Sequence, residues 1–120
     1  MMEIIKVIDG ATAITESVAI PIGDAKKVVL FCKRSDHVEG NTVFSATVSH
    51  NGTDYRTYNK WISNVANANT EFLTRVASLT LESATCGFLT MDPSDFANYI
   101  KVTATETTDG THDAWLIVQY

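Results

Sequence analysis

The stretch from Thr42 to Lys60, TVFSATVSHNGTDYRTYNK, constrains what this chain can fold into more than any other. Two segments that alternate apolar and polar residues flank Asn51-Gly52, and a period of two is the signature of a half-buried strand. A type I′ turn needs positive φ at both central residues, which Asn tolerates and Gly accepts freely. With Asn51-Gly52 as the turn, Val48 is expected opposite Tyr55, and Ala46 opposite Thr57, on one side of the sheet. Thr47 then faces Arg56, and Ser45 faces Tyr58, on the other. The hairpin points to an all-β chain and supplies no chemistry.

The rest of the chain repeats the theme. Ile4–Ile8 reads as a first strand closed by Asp9-Gly10, and Ala11–Ile22 holds a short extended stretch ending near Pro21 and Gly23. Lys27–Arg34 contains the apolar run VVLFC, which fits a central strand covered on both faces or one whose outer face meets a partner. Leu73–Glu82 alternates as one strand, with Arg75 at a rim or in an ion pair. Phe88–Met91 is a short strand, and Asp92-Pro93-Ser94 starts a turn with a brief helical turn after it. Tyr99–Glu106 and Ala114–Tyr120 read as a final pair joined by TTDGTHD, a hairpin loop centred on Asp109-Gly110. SNVANANTE, between Ile62 and Phe72, is a loop rich in Asn and long enough for a contact role. About eight short strands and no helix of ordinary length predict a single antiparallel β-sandwich or jelly roll over residues 1–120.

Composition narrows the function classes. A length of 120 residues makes one domain with room for a core. A net charge of −5 argues against a phosphate-binding surface, so no nucleic-acid partner is expected. The one basic cluster, Lys26-Lys27 with Lys33-Arg34, reads as a solvated rim. MMEIIKVIDG lacks a basic segment followed by a long apolar core, so no secretory signal is read there, and no apolar run is long enough for a bilayer span. The expectation is a chain made in a host cytoplasm, with no membrane partner. Cys32 and Cys86 read as buried free thiols, with a disulfide between them left open.

Sites of chemistry are sparse. His37, His50 and His112 all fall in expected loops, His37 beside Asp36 and Glu39 and His112 beside Asp109 and Asp113, but without metal-ligand spacing or a third ligand, so neither a metal nor another cofactor is expected. No nucleophile elbow, phosphate-binding glycine loop or HExxH helix occurs, and the chain is not expected to be an enzyme. The aromatic residues Tyr58, Trp61, Trp115 and Tyr120 either fill the core and its rim or anchor an interface, where Trp and Tyr are enriched.

The segment FSATVSHNGTDYRTYNKWISNVANANTEFLTRVASLTLES, then FLTMD and YIKVTATETTDGTHDAWLIVQY, resembles small phage and environmental virion proteins of β-sandwich type. The resemblance covers about two thirds of the chain, from Phe44 onward, and is most specific at Ser49–Tyr58 and Thr105–Ala114. It implies a capsid decoration (cement) subunit or another accessory structural component, carried in the virion. Its partners would be the major capsid protein or other virion proteins. Self-association is expected, with a trimer among the candidate symmetries. Residues 1–8 would serve as an edge or exchanging strand. Trp61, Asn64, Asn67 and Asn69 are the expected contact residues, with Tyr58, Trp115 and Tyr120 beside them. The hairpin alone is also similar to the S-x-D-G-x-x-W element of discoidin-like sandwiches, with Asn51 and Tyr55 in place of the acidic residue and the Trp. That likeness implies a carbohydrate- or receptor-binding module instead.

Overall fold

A computed structural model describes residues 1–63, 74–92 and 97–120. Residues 64–73 and 93–96 lie outside them, so Asn64, Asn67 and Asn69 and the turn expected after Asp92 are not among the described residues. The strands are β1 (Met2–Ala11), β2 (Thr15–Glu16), β3 (Ile20–Pro21), β4 (Lys27–Ser35), β5 (Gly40–Ser49) and β6 (Arg56–Thr57). They continue with β7 (Trp61–Ser63), β8 (Thr74–Val76), β9 (Leu79–Leu81), β10 (Thr85–Thr90), β11 (Tyr99–Thr108) and β12 (Thr111–Gln119). Two antiparallel sheets form a sandwich, as the alternation predicts. The first runs β1-β12-β4-β10-β7-β8; the second runs β2-β11-β5-β6, with β3 also on β11 and β9 also on β5. Between them lies one core, from Val28, Leu30 and Cys32 of β4 to Phe44 and Ala46 of β5 and Leu116 and Val118 of β12.

The Asn51-Gly52 turn is wider than a type I′ turn. Ser49 Oγ accepts the backbone N–H of Asn51 and Gly52, and Asn51 Oδ1 accepts those of Thr53 and Asp54. These side chains satisfy the backbone of a loop running from His50 to Tyr55, so the ladder starts one residue later than expected. Thr47 lies opposite Thr57, and Val48 opposite Arg56. Tyr58 donates its backbone N–H to Ala46 O and therefore turns inward. A slip of one residue exchanges the two faces of a strand. That slip corrects the expected pairing of Ser45 with Tyr58.

Two further expectations are corrected by crossings between sheets. Leu73–Glu82 is not one strand: β8 joins the first sheet and β9 the second, with Ala77 and Ser78 carrying the chain across. β11 and β12 do not pair with each other; β11 belongs to the second sheet and β12 to the first. Asp109-Gly110 is thus a corner between layers, with φ of 73° at Thr108 and 118° at Gly110.

That corner is clamped by Arg34. The basic pair Lys33-Arg34 was expected to be solvated, yet Arg34 points inward from β4 and is 1% exposed. Its Nε donates to His37 Nδ1 at 3.0 Å, Nη1 to Thr42 Oγ1 at 2.6 Å, and Nη2 to the Glu39 carbonyl at 3.0 Å. Asp109 lies 3.6 Å from Nη2 and accepts the backbone N–H groups of Val38 and Glu39. A Cβ at Gly110 would stand 2.6 Å from the guanidinium, so only glycine fits the corner. His112 is buried on β12 rather than in a loop; its Nε2 donates to Ala13 O at 2.9 Å, and its ring meets Phe44 edge-on.

Removing a buried, hydrogen-bonded cation strands its partners. Arg34→Met is expected to lower unfolding free energy by about 3 kcal/mol in urea titration. A loss below about 1 kcal/mol would show that the clamp contributes little.

Candidate functional site

In an antiparallel ladder, residues opposite each other share a face. Along β4 and β12, Val28, Leu30, Ala114, Leu116 and Val118 face the core, which sends Val29, Phe31, Trp115 and Ile117 outward. The same register continues sideways. Phe31 lies opposite Phe88 of β10, Thr90 opposite Ile62 of β7, and Ile117 opposite Ile4 of β1. The outer face of the first sheet is therefore crossed by two apolar rows. Ile4, Ile117 and Val29, with Ile62 beyond Thr90, form one, and Trp115, Phe31 and Phe88 form the other.

This face is exposed in the folded chain. Met2, Ile4 and Phe88 keep 61%, 63% and 42% of their surface, and Phe31, Trp115 and Ile117 are half-buried. Trp115 meets Phe31 edge-on, with centroids 5.8 Å apart, and Lys6 Nζ sits 5.0 Å from the Trp115 ring centroid. Lys6 also pairs with Asp9 at 2.8 Å and Asp113 at 3.3 Å; Asp9 first, then Asp113, holds its ammonium pKa above the ordinary lysine value. Lys27 and Lys33 bound the rows at opposite ends of β4. At the Lys33 end a hollow of about 410 Å³ opens between Phe31, Ala84 and Cys86.

The other sheet presents a different surface. Val43, Ser45 and Thr47 of β5, Tyr99, Lys101, Thr103 and Thr105 of β11, and Thr57 of β6 occupy its outward positions, most of them hydroxyl-bearing. A face of hydroxyls is satisfied by water. Two rows of Ile, Val, Phe and Trp are not.

The residues expected at an interface are distributed unevenly. Trp61 is wholly buried and Tyr58 nearly so, their rings 4.9 Å apart and almost perpendicular. The Tyr58 hydroxyl accepts the Asp92 N–H at 3.1 Å. Both belong to the core, which corrects the contact role expected of them; the inward slip at Tyr58 is the cause. Tyr120 is half-buried and packs against the core edge, and its N–H donates to Met1 O. Trp115 lies on the apolar face. The face also takes in Ile4, Val29, Phe31, Phe88 and Ile117, which the sequence reading did not name as contacts. Their signal was present: VVLFC and AWLIV are apolar at both parities, and a sheet with one covered side needs only one.

Chemistry at other positions is limited. Among the described residues no three of His, Cys, Asp and Glu come together. Cys32 points into the core, where burial pushes its thiol pKa far above the ordinary range. Cys86 is exposed on the outer face, opposite Lys33, which corrects the expectation that both thiols are buried. The two cysteines lie on opposite sides of the same sheet, and both are free.

The arrangement defines a two-sheet sandwich with one apolar outer face. No family model matches the chain, and no curated protein matches it. Among solved structures the fold is similar to that of SPBc2 prophage-derived protein YomS, with a TM-score of 0.64 over 99% of this chain and 94% of that one. Sequence identity is 8%, so the likeness is one of fold.

Thiol titration checks the sidedness. In dilute native protein one equivalent per chain, Cys86, is expected to react promptly, and Cys32 only on unfolding. Two prompt equivalents would contradict the register of β4 and β10.

Proposed function

We propose that this chain is a non-enzymatic phage structural protein, a decoration subunit that binds the outside of an assembled capsid. The observation that carries the reading is the apolar outer face of the first sheet. A soluble sandwich that kept both outer faces in water would not hold Ile, Val, Phe and Trp in two rows there. The fold shared with a prophage-derived protein supports the phage setting. The described fold also leaves β1 at a sheet edge, with backbone groups free to pair with a neighbour's strand. The virion would then be the site of action, and the major capsid protein or another virion protein the partner. Many weak contacts repeated over a lattice give retention that no single contact supplies.

Co-sedimentation with undecorated capsids of the phage that encodes the chain tests this reading. Saturable binding at a fixed ratio to capsid subunits is expected. No binding at any salt concentration would sink it.

A second reading, a carbohydrate- or receptor-binding module, is favoured by one feature. A half-open pocket of about 650 Å³ lies at the Asn51 loop, lined by His50, Asn51, Asp54, Tyr55 and Arg56. Lys101 Nζ lies 4.3 Å from the Tyr55 ring centroid and covers one side of the ring. A glycan screen without saturable binding would remove this reading.

A further inference from the structure

We propose that Asn51-Gly52 is a site of self-modification, at which the Gly52 backbone nitrogen displaces the Asn51 side-chain amide, and that the folded loop holds the pair unreacted.

The sequence supplies the reactants. A glycine after asparagine sets no side chain beside its own nitrogen, and its backbone reaches conformations closed to other residues. In the reaction, Gly52 N gives up its proton and bonds to Asn51 Cγ. The Cγ–Nδ2 bond breaks, and ammonia leaves carrying that proton. A cyclic imide then joins positions 51 and 52. Water opens either imide carbonyl, leaving aspartate or isoaspartate at position 51. Water is gained and ammonia lost in equal amounts, and nothing is oxidised or reduced.

The folded loop ties down each group that this step must move. Gly52 donates its N–H to Ser49 Oγ at 3.0 Å, so the proton of the nucleophile is engaged. Asn51 Oδ1 accepts from Ser49 Oγ, Thr53 N and Asp54 N, each at 2.9 Å. Asn51 Nδ2, the leaving group, donates to Asp54 Oδ2 at 2.8 Å. Donors on Oδ1 polarise Cγ, yet the nucleophile cannot attack while its N–H points at Ser49. Ser49 is itself fixed. It is 4% exposed, its carbonyl accepts the Asn98 N–H at 3.0 Å, and its Oγ also takes the N–H of Asn51. Gly52 lies against Tyr99, where a Cβ would stand 3.3 Å from the ring.

Reaction therefore waits on opening of the loop, and its rate follows the population of the opened form. Opening is a local event. Asn51 and Gly52 are exposed, and β6 holds to β5 by only the Thr47–Thr57 and Val48–Arg56 pairs. The sandwich stays folded while the loop opens.

Once the bond is made, the loop cannot close as before. Both products replace the Nδ2 donor with a carboxylate oxygen facing Asp54, and like charges repel. Isoaspartate also routes the main chain through a former side-chain methylene, which moves Gly52 off Ser49. The pocket lined by His50, Asp54, Tyr55 and Arg56 changes with the loop. The inference stands apart from the capsid reading, which rests on the other sheet.

Peptide mapping by mass spectrometry is the test, on the full chain held in mildly alkaline buffer with and without concentrated urea. Conversion at position 51 is expected to run at least ~10-fold faster in urea than in the folded chain. Folded Ser49→Ala is expected to convert ~10-fold faster than folded wild type, and at the wild-type rate in urea, because its effect lies in the fold. Should Ser49→Ala misfold, Asp54→Ala, at an exposed position, is expected to raise the folded rate ~3-fold. Converted chain, separated by its added negative charge, is expected to exchange the Gly52, Thr53 and Asp54 amide hydrogens faster than unconverted chain. No conversion at position 51 in urea, or a folded rate equal to the rate in urea, would overturn the inference. So would folded Ser49→Ala, or in its place Asp54→Ala, converting no faster than folded wild type, or amide exchange unchanged by conversion.

Discussion

Both surfaces of the first sheet depend on one ladder, the antiparallel pairing of β4 with β12 from Lys27–Gln119 to Ser35–Thr111. Its register decides what is core and what is outside. Leu30 with Leu116 and Cys32 with Ala114 go in; Phe31 with Trp115 and Val29 with Ile117 go out. A shift of both strands by one residue would expose Leu30 and Leu116 and push Lys33 and Asp113 into the core. Arg34 and His112, paired at one end of the ladder, hold it where it is. The guanidinium ties the β4–β5 connection to the Asp109-Gly110 corner, and the imidazole ties β12 to Ala13. Buried polar groups with specific partners have one satisfactory placement, whereas apolar side chains tolerate several.

The alternation around Asn51-Gly52 and the turn-punctuated apolar runs were enough to read an antiparallel sandwich, because period and turn chemistry are local properties. The apolar run of β4 was also legible as a strand whose outer face meets a partner. What escaped the sequence was non-local. The hairpin register depended on how Ser49 and Asn51 side chains saturate a loop backbone, and that moved Tyr58 from the outer face to the core beside Trp61. The two crossings, at Ala77-Ser78 and at Asp109-Gly110, look like ordinary strand interior and ordinary hairpin in sequence. Nothing near Arg34 in the chain announces that Thr42 and the Glu39 carbonyl will meet it. The corner residue that lies close to it is 75 positions away, and a basic residue beside another lysine reads as solvated.

The asymmetry of the sandwich links these details to function. One outer face carries mostly Ser and Thr, with Val43, Tyr99 and Lys101 among them; the other carries Ile, Val, Phe and Trp in two rows. Trp61, expected at the contact, lies in the core, whereas Trp115 lies on the apolar face. In the proposed account, the capsid covers the apolar face, and the β1 edge lies beside it. Side-chain chemistry for catalysis plays no part in that account.

Hydroxyl-radical footprinting, comparing the free chain with the capsid-bound chain, tests the central claim most directly. The account predicts that Phe31, Phe88 and Trp115 become protected from oxidation, while Tyr55 and Tyr99 on the hydroxyl face react equally in both states. Protection confined to Tyr55 and Tyr99, or equal reactivity of all five residues across the two states, would contradict it.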